Sequence, residues 1–207
     1  MPTSQRLVVL DLEGVLYPEI WPALSEHFSI PELAATTRDV DDYRELMRLR
    51  VAALNRNDVA FTEMLSVITA LDPLPGAVEL LDVLRLSTPV VILSDTFEEF
   101  AASFSAKLHY PTVLCHRLVV SNDRVLGFKL RLPDQKRSAV EAFQRLNYYV
   151  VAAGDSFNDL SMLHAADYGI LVNPPVDVAS AHPRFHVCTS VDSLRAHLAA
   201  ICTEPTA

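Results

Sequence analysis

Four short, wholly apolar runs constrain the fold of this chain more than any other feature of its sequence. They occupy residues 7–10, 90–93, 150–153 and 169–172. Each is rich in β-branched side chains, and none alternates between apolar and polar residues. Such runs are typical of strands that are covered on both faces of a parallel sheet.

Helical periodicity fills the intervals between these runs. The candidate helices span residues 77–86, 98–108, 135–146 and 160–166. Strands that alternate with helices in this way predict an α/β fold with a doubly wound, mainly parallel, Rossmann-like sheet.

Two segments depart from this alternation. Residues 18–72 have helical periodicity and no convincing strand, so we predict a helical cap domain inserted after the first strand. The α/β core is then expected to comprise residues 1–17 and 73–207. Within the core, two runs in 117–132 flank the turn-forming sequence Ser-Asn-Asp-Arg, which predicts a β-hairpin.

Polar side chains directly follow three of the predicted strands. Asp11 and Glu13 follow the first strand, Ser94 and Asp95 the second, and Asp155 the third. Ligands of open α/β sheets bind beyond the carboxyl ends of the strands, so these side chains are expected to meet. Carboxylates at short range repel one another unless a cation lies among them. Oxygen ligands without paired His or Cys favour Mg²⁺ over zinc.

Helix capping is the alternative explanation for each of these residues. A single acid after a strand is usually a helix N-cap, and Ser94 could be a cap alone. Asp155 and Asp159 could be the cap and the first-turn acid of the next helix. Three such clusters on one sheet are less readily explained as three caps, and together they favour a binding site.

The overall charge argues against several classes of partner. Lys and Arg total 17 against 26 Asp and Glu, which gives a formal net charge of −9, and the longest basic run is Lys136-Arg137. We therefore expect no nucleic-acid or membrane partner, and no segment approaches the roughly 18 apolar residues of a membrane span. The three cysteines have no metal-ligand spacing and are expected to be reduced thiols of a soluble, cytoplasmic protein.

Taken in order, the polar motifs resemble those of a known family, the haloacid dehalogenase superfamily of phosphotransferases. The four matching motifs are DLEGV at 11–15, Ser94, Lys136 and GDSFND at 154–159. The helical insertion resembles the type-1 cap of that superfamily, and the similarity is closest to its phosphoserine phosphatase branch. DLEGV, PEIW at 18–21 and LSDTF at 93–97 further resemble the subgroup of bifunctional phosphoserine phosphatase/homoserine phosphotransferases.

This resemblance implies roles for three acids. Asp11 would be the nucleophile that attacks phosphorus and becomes an aspartyl-phosphate. Glu13 would protonate the leaving alcohol and then deprotonate the incoming water or alcohol. Asp155, Asp11 and the backbone carbonyl of Glu13 would hold Mg²⁺, which would offset negative charge during the transfer.

The resemblance also implies that Ser94, Lys136 and Asn158 contact the phosphoryl group. Two positions depart from the pattern of the superfamily. Most members have Asp where this chain has Glu13, although the named subgroup also carries Glu. Ordinary phosphoserine phosphatases have two glycines after the serine, where this chain continues with Asp95. The Asp95 carboxylate could bind a substrate ammonium or could cap the helix that follows.

One arginine interrupts the apolar face of the predicted cap helix at 41–56. Arg50 occupies the position that should complete the stripe of this face. The other members of the stripe are Tyr43, Leu46, Met47 and Leu54. Arg50 either lies at the border of the stripe and extends its charge into solvent, or faces the cleft and binds a substrate carboxylate. The resemblance favours the second interpretation.

Glu19 has two interpretations as well. It is either an acid in the first turn of the helix that contains Pro22, favoured by the helix dipole, or the partner of a substrate α-ammonium, as the resemblance implies. Glu19 and Arg50 would then bind the two charged groups of an amino acid. Tyr43, Met47 and Trp21 are expected to line the cleft or, alternatively, to be core residues.

The sequence thus predicts a Mg²⁺-dependent phosphatase or phosphotransferase of O-phospho-L-serine, with water or homoserine as the acceptor. The alternative within the superfamily is a phosphatase of another small phosphorylated metabolite. A phosphorylatable signalling receiver also gathers acids and a lysine on a parallel sheet, but the helical insertion and the chain length argue against it. A catalytically inactive, ligand-binding relative is a third alternative, supported only by Glu13. The expected partner is a small phosphorylated amino acid, and the sequence makes no prediction about oligomeric state.

Overall fold

The computed structural model describes residues 5–36, 39–40 and 42–203, and a seven-stranded sheet lies at the centre of this part of the chain. The strands are β1 (Gln5–Leu10), β2 (Val90–Phe97), β3 (Val113–Ser121), β4 (Arg124–Lys129), β5 (Tyr148–Gly154), β6 (Tyr168–Val172) and β7 (His186–Cys188). Their order across the sheet is β4-β3-β2-β1-β5-β6-β7. All neighbouring pairs are parallel except β3 with β4.

Helices connect the parallel strands and fill the segment after β1. They are α1 (Ile20–Phe28), α2 (Tyr43–Arg56), α3 (Phe61–Ala70), α4 (Ala77–Arg85), α5 (Glu98–Phe104), α6 (Gln135–Arg145), α7 (Leu160–Ala165), α8 (Val176–Ala181) and α9 (Val191–Thr203). Short 3₁₀ helices occur at Pro31–Ala34, Ser105–Leu108 and Phe157–Asp159. Within the described ranges, no helix combines the length and apolarity that a membrane crossing requires.

The central strand β1 is buried on both faces. Val8 and Leu10 belong to one buried apolar cluster, whereas Leu7 and Val9 belong to another. Successive side chains of a strand point to opposite faces, so the two clusters are the two covered faces of the sheet. This confirms the doubly wound, mainly parallel sheet, and the four predicted strands lie within β1, β2, β5 and β6.

The structure corrects three details of the strand prediction. We predicted a strand that ends at residue 93, but β2 continues to Phe97, with its pairing to β3 interrupted between Leu93 and Phe97. The strand β3 begins at Val113 and extends the parallel sheet before it forms the predicted hairpin with β4. The strand β7 is three residues long, too short to produce a pattern in the sequence.

Between β1 and α4 the described residues form helices and no strand. The helix predicted at 41–56 begins at Tyr43, because the carboxylate of Asp42 caps it by accepting the N–H of Arg44 at 2.7 Å; residue 41 lies outside the described residues. Apolar side chains of this segment, such as Met47 and Ile68, belong to the same buried cluster as the central sheet. The boundaries of a cap domain at 18–72 stay a prediction.

The tip of the β3–β4 hairpin contacts this helical segment. Asn122 and Asp123 have φ values of 50° and 57°, since a two-residue type I′ turn requires positive φ at both positions. The Asp123 carboxylate accepts the N–H and the hydroxyl of Thr62, each at 2.8 Å, and its carbonyl accepts the N–H of Phe61 at 2.9 Å. The hairpin therefore satisfies the first N–H groups of α3, whose N-cap residue, Ala60, has no side-chain acceptor.

Candidate active site

The carboxyl ends of the three central strands meet at one cavity. The strand β1 lies between β2 and β5, and Leu10 pairs with both Ile92 and Ala153. The cavity has a volume of about 400 Å³ and is covered by residues of α1 and α2. Its wall contains every residue predicted for the site, namely Asp11, Glu13, Glu19, Arg50, Ser94, Asp95, Lys136, Asp155 and Asn158.

A buried lysine binds two carboxylates at the bottom of the cavity. Lys136, the second residue of α6, is 4% exposed. Its Nζ donates to Asp11 Oδ1 at 2.8 Å and to Asp159 Oδ1 at 2.7 Å, and lies 3.9 Å from Asp95 Oδ2. Burial would lower the pKa of Lys136, but these carboxylates raise it well above its usual range, so the ammonium stays charged.

The acids around Lys136 carry more negative charge than one ammonium can balance. Oxygens of Asp11, Asp155 and Asp159 lie within 4.8 Å of one another. Asp11, Asp155 and Lys136 lie in the cavity wall and Asp159 is fully buried behind them; together we call these four residues the floor of the cavity. Burial and the charge of Asp159 raise the pKa of Asp11 well above its usual range. Burial, Asp159 and Glu19 raise the pKa of Asp155 to about 7. A cation that prefers oxygen ligands would relieve this repulsion, so the donor set fits Mg²⁺.

A tight turn after β1 brings Glu13 to the wall of the cavity. Gly14 has a φ of +80°, and a Cβ there would overlap the carboxylate of Asp155, so a side chain is excluded. Glu13 Oε2 accepts the N–H of Ile20 at 2.9 Å, at the start of α1. Burial and the charge of Glu19 raise the pKa of Glu13 to about 7, so this carboxyl can exchange a proton near neutral pH.

Glu19 lies at the mouth of the cavity. It immediately precedes α1, but its side chain makes no capping hydrogen bond, and the first turn of α1 contains no acid. Glu19 is therefore the N-cap residue of α1 rather than a first-turn acid, and the helix dipole still favours its charge at that position. Although its side chain is exposed, partial desolvation by the cavity wall raises the pKa of Glu19, and the proximity of Glu13 opposes this rise.

The capping alternatives for Asp95 and Asp155 also fail, whereas the one for Asp159 is confirmed, since Asp159 is an acid in the first turn of the 3₁₀ helix that follows Ser156. The N-cap of α5 is Phe97 rather than Asp95, and the N-cap of the 3₁₀ helix after β5 is Ser156 rather than Asp155. Ser94 is 1% exposed, and its Oγ accepts the N–H of Thr96 at 3.2 Å within β2. Ser94, Asp95 and Asp155 therefore line the cavity and do not cap helices. Asn158 lies at the exposed rim of the cavity.

The cap segment contributes a roof above this floor. The roof consists of Trp21, Tyr43 and Arg50. Arg50 is 6% exposed, with its guanidinium 4.5 Å from the centre of the Trp21 ring, so the solvent-border interpretation is wrong. Its Nη2 donates to the carbonyl of Ala35 at 2.7 Å, while its buried Nε has no hydrogen-bond partner among the described residues. Burial lowers the pKa of Arg50 to about 10, which still leaves it charged.

One roof residue also contacts the β2 side of the cavity, and for Met47 the core alternative is confirmed instead of the cleft-lining interpretation. Tyr43 donates its hydroxyl to the carbonyl of Asp95 at 2.7 Å. Met47 does not line the cavity: it is fully buried, with Sδ 3.7 Å from Arg50 Nη1, and Leu46 lines the cavity instead. An apolar stripe cannot distinguish which of two adjacent members faces the cleft.

Sequence reasoning assigned no site role to Asp159 and did not mention two further residues. Asp159 is fully buried, and its Oδ2 accepts the N–H groups of Asp155 at 2.9 Å and Ser156 at 3.1 Å, while Oδ1 accepts from Lys136. Its place four residues after Asp155 was the available signal. Gln135 and His116 contact Asp95 from outside the cavity wall, and no motif marks them.

Comparisons with known proteins agree with this geometry. A family model described as haloacid dehalogenase-like hydrolase matches residues 5–167. The chain is 47% identical to phosphoserine phosphatase of Pseudomonas syringae pv. tomato, over 92% of this chain and 81% of the relative. It is 46% identical to phosphoserine phosphatase ThrH of Pseudomonas aeruginosa, over 92% of this chain and 93% of the relative. A solved phospho-aspartyl intermediate analogue of phosphoserine phosphatase shares the fold, with a TM-score of 0.78, 20% identity and coverage of 95% and 99% of the two chains.

Proposed function

The chain belongs to the haloacid dehalogenase-like hydrolases, and we propose that it is a phosphatase of O-phospho-L-serine that works through a phosphorylated Asp11. The observation that carries this proposal is the position of Asp11. It is buried at the end of β1, 2.8 Å from Lys136 Nζ and beside Asp155, in a cavity covered by Arg50. The two relatives named phosphoserine phosphatase, each aligned over 92% of this chain, support the choice of substrate.

The proposed reaction has two halves that share one nucleophile. In the first, an Asp11 oxygen attacks phosphorus, the bond from phosphorus to the serine oxygen breaks, and Glu13 gives that oxygen its proton. In the second, Glu13 takes a proton from water, the hydroxide attacks phosphorus, and the bond to Asp11 breaks. The raised pKa of Glu13, about 7, supports this exchange of roles, because both protonation states are accessible near neutral pH.

The floor supplies the charges that this reaction needs. Asp11, Asp155 and the backbone carbonyl of Glu13 would hold Mg²⁺, because both oxygens of Asp159 already accept hydrogen bonds. When bound, Mg²⁺ would neutralise charge between Asp11 and the phosphoryl oxygens. Lys136 keeps the Asp11 carboxylate in place through a bond from a charged donor.

The remaining residues of the phosphoryl site act as donors. Ser94 and Lys136 would donate to the phosphoryl oxygens, and Asn158 would do so from the rim of the cavity. Ser94 is suited to this role because it lies in the cavity wall, directly after the point where β2 loses its pairing to β3. Fixed donors of this kind stabilise a charged transition state without reorganising.

The roof would bind the amino-acid end of the substrate. Arg50 would bind the substrate carboxylate. Its buried Nε finds no acceptor in the part of the chain that the structure describes, and an unsatisfied buried N–H is unfavourable unless a ligand accepts from it. Glu19 and Asp95 would bind the α-ammonium. Both carboxylates lie in the cavity wall, and neither side chain makes a capping hydrogen bond to α1 or α5.

Homoserine is proposed as a second acceptor of the phosphoryl group. It has the same α-carboxylate and α-ammonium as serine, so Arg50 and Glu19 could bind it after serine leaves. Its hydroxyl would then replace water in the second half of the reaction, with Glu13 taking the proton. The sequence resemblance to the bifunctional subgroup supports this step.

We also propose a cytoplasmic location. Cys115, Cys188 and Cys202 form no disulfide, and the first two are buried. Cysteines kept as thiols suit a reducing compartment.

The test is release of phosphate by the purified protein with Mg²⁺. The expected kcat/KM for O-phospho-L-serine exceeds that for p-nitrophenyl phosphate by about 100-fold, because two charged groups of the substrate find partners. Added homoserine is expected to yield phosphohomoserine. Equal kcat/KM for the two esters would contradict the proposed substrate and favour another small phosphorylated metabolite.

A further inference from the structure

The carboxylate of Asp95 is held by residues that do not line the cavity. Its Oδ1 lies 3.4 Å from His116 Nε2 and 3.3 Å from Gln135 Nε2, whereas Oδ2 lies 3.9 Å from Lys136 Nζ. One oxygen is thus turned toward donors behind the wall, and the other lies on the side of the catalytic lysine. The Asp95 side chain is 32% exposed, so a ligand can reach it.

His116 is built into the sheet next to Asp95. It lies on β3, where it pairs in register with Phe97 of β2, and it is 3% exposed. The backbone N–H of Arg131 donates to its Nδ1 at 3.2 Å, which places the ring proton of the neutral form on Nε2, the atom that faces Asp95. The rings of Tyr43 and Phe97 lie 5.7 and 6.2 Å from the imidazole, and they restrict its rotation.

A residue of the cap segment also fixes the backbone of Asp95. The hydroxyl of Tyr43 donates to the carbonyl of Asp95 at 2.7 Å. Burial would raise the pKa of Asp95, but Lys136, His116 and Gln135 lower it, so the carboxylate is charged at neutral pH. A charged side chain between the phosphoryl site and the roof must be directed, because a rotation toward Ser94 would repel a phosphate there.

We propose that His116 is a positioning residue that fixes the Asp95 carboxylate for recognition of the substrate ammonium. The inference rests on the proposed function, since it assigns Asp95 to the amino-acid end of phosphoserine. His116 itself touches no substrate, because it lies behind the cavity wall. Its loss should weaken binding of an amino-acid phosphate and leave the chemistry of phosphoryl transfer intact.

The experiment compares three variants on two esters. In His116→Phe, which keeps an aromatic ring but loses the donor, KM for O-phospho-L-serine should rise about tenfold, with little change in kcat or in turnover of p-nitrophenyl phosphate. His116→Gln restores a donor at similar reach and should recover most of the loss. The control is Cys115→Ala, a change at the adjacent buried residue of β3, which should lower Tm without raising KM.

A double-substitution cycle separates positioning from a purely structural role. In an Asp95→Asn background, His116→Phe should add no further increase in KM. A KM increase that persists in that background, or equal losses on both esters that follow the fall in Tm, would overturn the proposal.

A spectroscopic measurement keeps this outcome distinct from failure of the proposed function. Nitrogen NMR of the imidazole should show the Nε2-protonated tautomer, with an Nε2 shift that changes in Asp95→Asn. If the wild-type protein does not hydrolyse phosphoserine, the proposed function is wrong, and an Nε2 shift that does not respond to Asp95→Asn would overturn the positioning role separately.

Discussion

The floor and the roof of the cavity satisfy their charges in different ways. In the floor, Lys136 and the surrounding acids bind one another at 2.7 and 2.8 Å, on the ends of central strands and a helix. In the roof, Arg50 lies against the Trp21 ring and a backbone carbonyl, and it keeps an unpartnered Nε among the described residues. In the floor, the acids carry more negative charge than Lys136 can balance. In the roof, no carboxylate of the described residues accepts a hydrogen bond from Arg50. Under the proposed function, the floor would perform chemistry common to all phosphate esters and the roof would select among them.

The largest effect is expected from the floor nucleophile. Asp11→Asn should reduce kcat at least about a thousandfold for both phosphoserine and p-nitrophenyl phosphate, because the attacking carboxylate is lost. Steady-state phosphate release checks this, with Asp72→Asn as a control at an exposed carboxylate outside the cavity wall. A loss confined to one ester would break the assignment of the floor to general chemistry.

The second floor prediction couples activity to stability. Asp155→Asn should reduce kcat about 100-fold on both esters and yet stabilise the metal-free protein by about 1–2 kcal/mol at pH 8. Burial and Asp159 raise the pKa of Asp155 from its ordinary 3.8 to about 7. Between these values the folded state binds more protons than the unfolded state, so the stability of the metal-free protein falls as pH rises through this window.

Thermal unfolding in the presence of a chelator tests whether stability falls as pH rises. The Tm of the wild-type protein should fall between pH 6 and pH 8, and Asp155→Asn should flatten this dependence. Added Mg²⁺ should raise the Tm of the wild-type protein more at pH 8 than at pH 6, since protons compete with the metal for the carboxylates. A variant less stable than the wild-type protein without metal would show that the acids of the floor do not repel one another.

A substitution in the roof should raise KM for phosphoserine and not for p-nitrophenyl phosphate. Arg50→Ala is expected to raise KM for phosphoserine about 100-fold and to leave p-nitrophenyl phosphate nearly unchanged, because only the amino acid has a carboxylate to lose its partner. The matched control is Arg48→Ala on the same helix, where the side chain is 63% exposed and pairs with Glu45. Equal losses on both esters would remove the distinction between roof and floor.

The smallest effect is expected where the hairpin supports the roof. Asp123→Ala removes the bonds to Thr62 at the start of α3 and should cost about 1 kcal/mol of stability. If α3 helps to hold the roof, KM for phosphoserine should rise two- to threefold, by an amount that corresponds to a few tenths of a kcal/mol. Chemical denaturation and kinetics measure the two effects, with Glu141→Ala as an exposed ion-pair control. If kcat for p-nitrophenyl phosphate changed more than KM for phosphoserine, the assignment of different roles to floor and roof would be contradicted.

The sequence predicted the residues of the floor better than the neighbouring strand β3 and the residues on it. Apolar runs without alternation identify buried parallel strands, and the acids after them are expected at one sheet edge, so Asp11 and Asp155 could be predicted to meet. The first part of β3 was missed because it directly follows Pro111 and Thr112 and continues into the hairpin without a break in the sequence. His116 could not be predicted, because its role depends on the register of β3 against β2, which no local pattern encodes.

The roof was predicted only in part, for a related reason. The stripe of α2 singled out Arg50 as an exception but left open whether its charge reaches solvent or the cleft, and the structure shows it buried against Trp21. It could not distinguish Leu46 from Met47, because adjacent residues of a helix differ by about 100° in direction and the position of the cleft is set by tertiary packing.

The most direct test of the central claim is to find the phosphoryl group on the enzyme. Protein mixed with phosphate-radiolabelled phosphoserine and Mg²⁺ is quenched in acid within one turnover and digested, and the labelled peptide is identified. We expect covalent label on the peptide that contains Asp11, faster loss of that label when homoserine is added, and no label in Asp11→Asn. Phosphate release at the full rate with no label at Asp11, or label that persists in Asp11→Asn, would contradict the account.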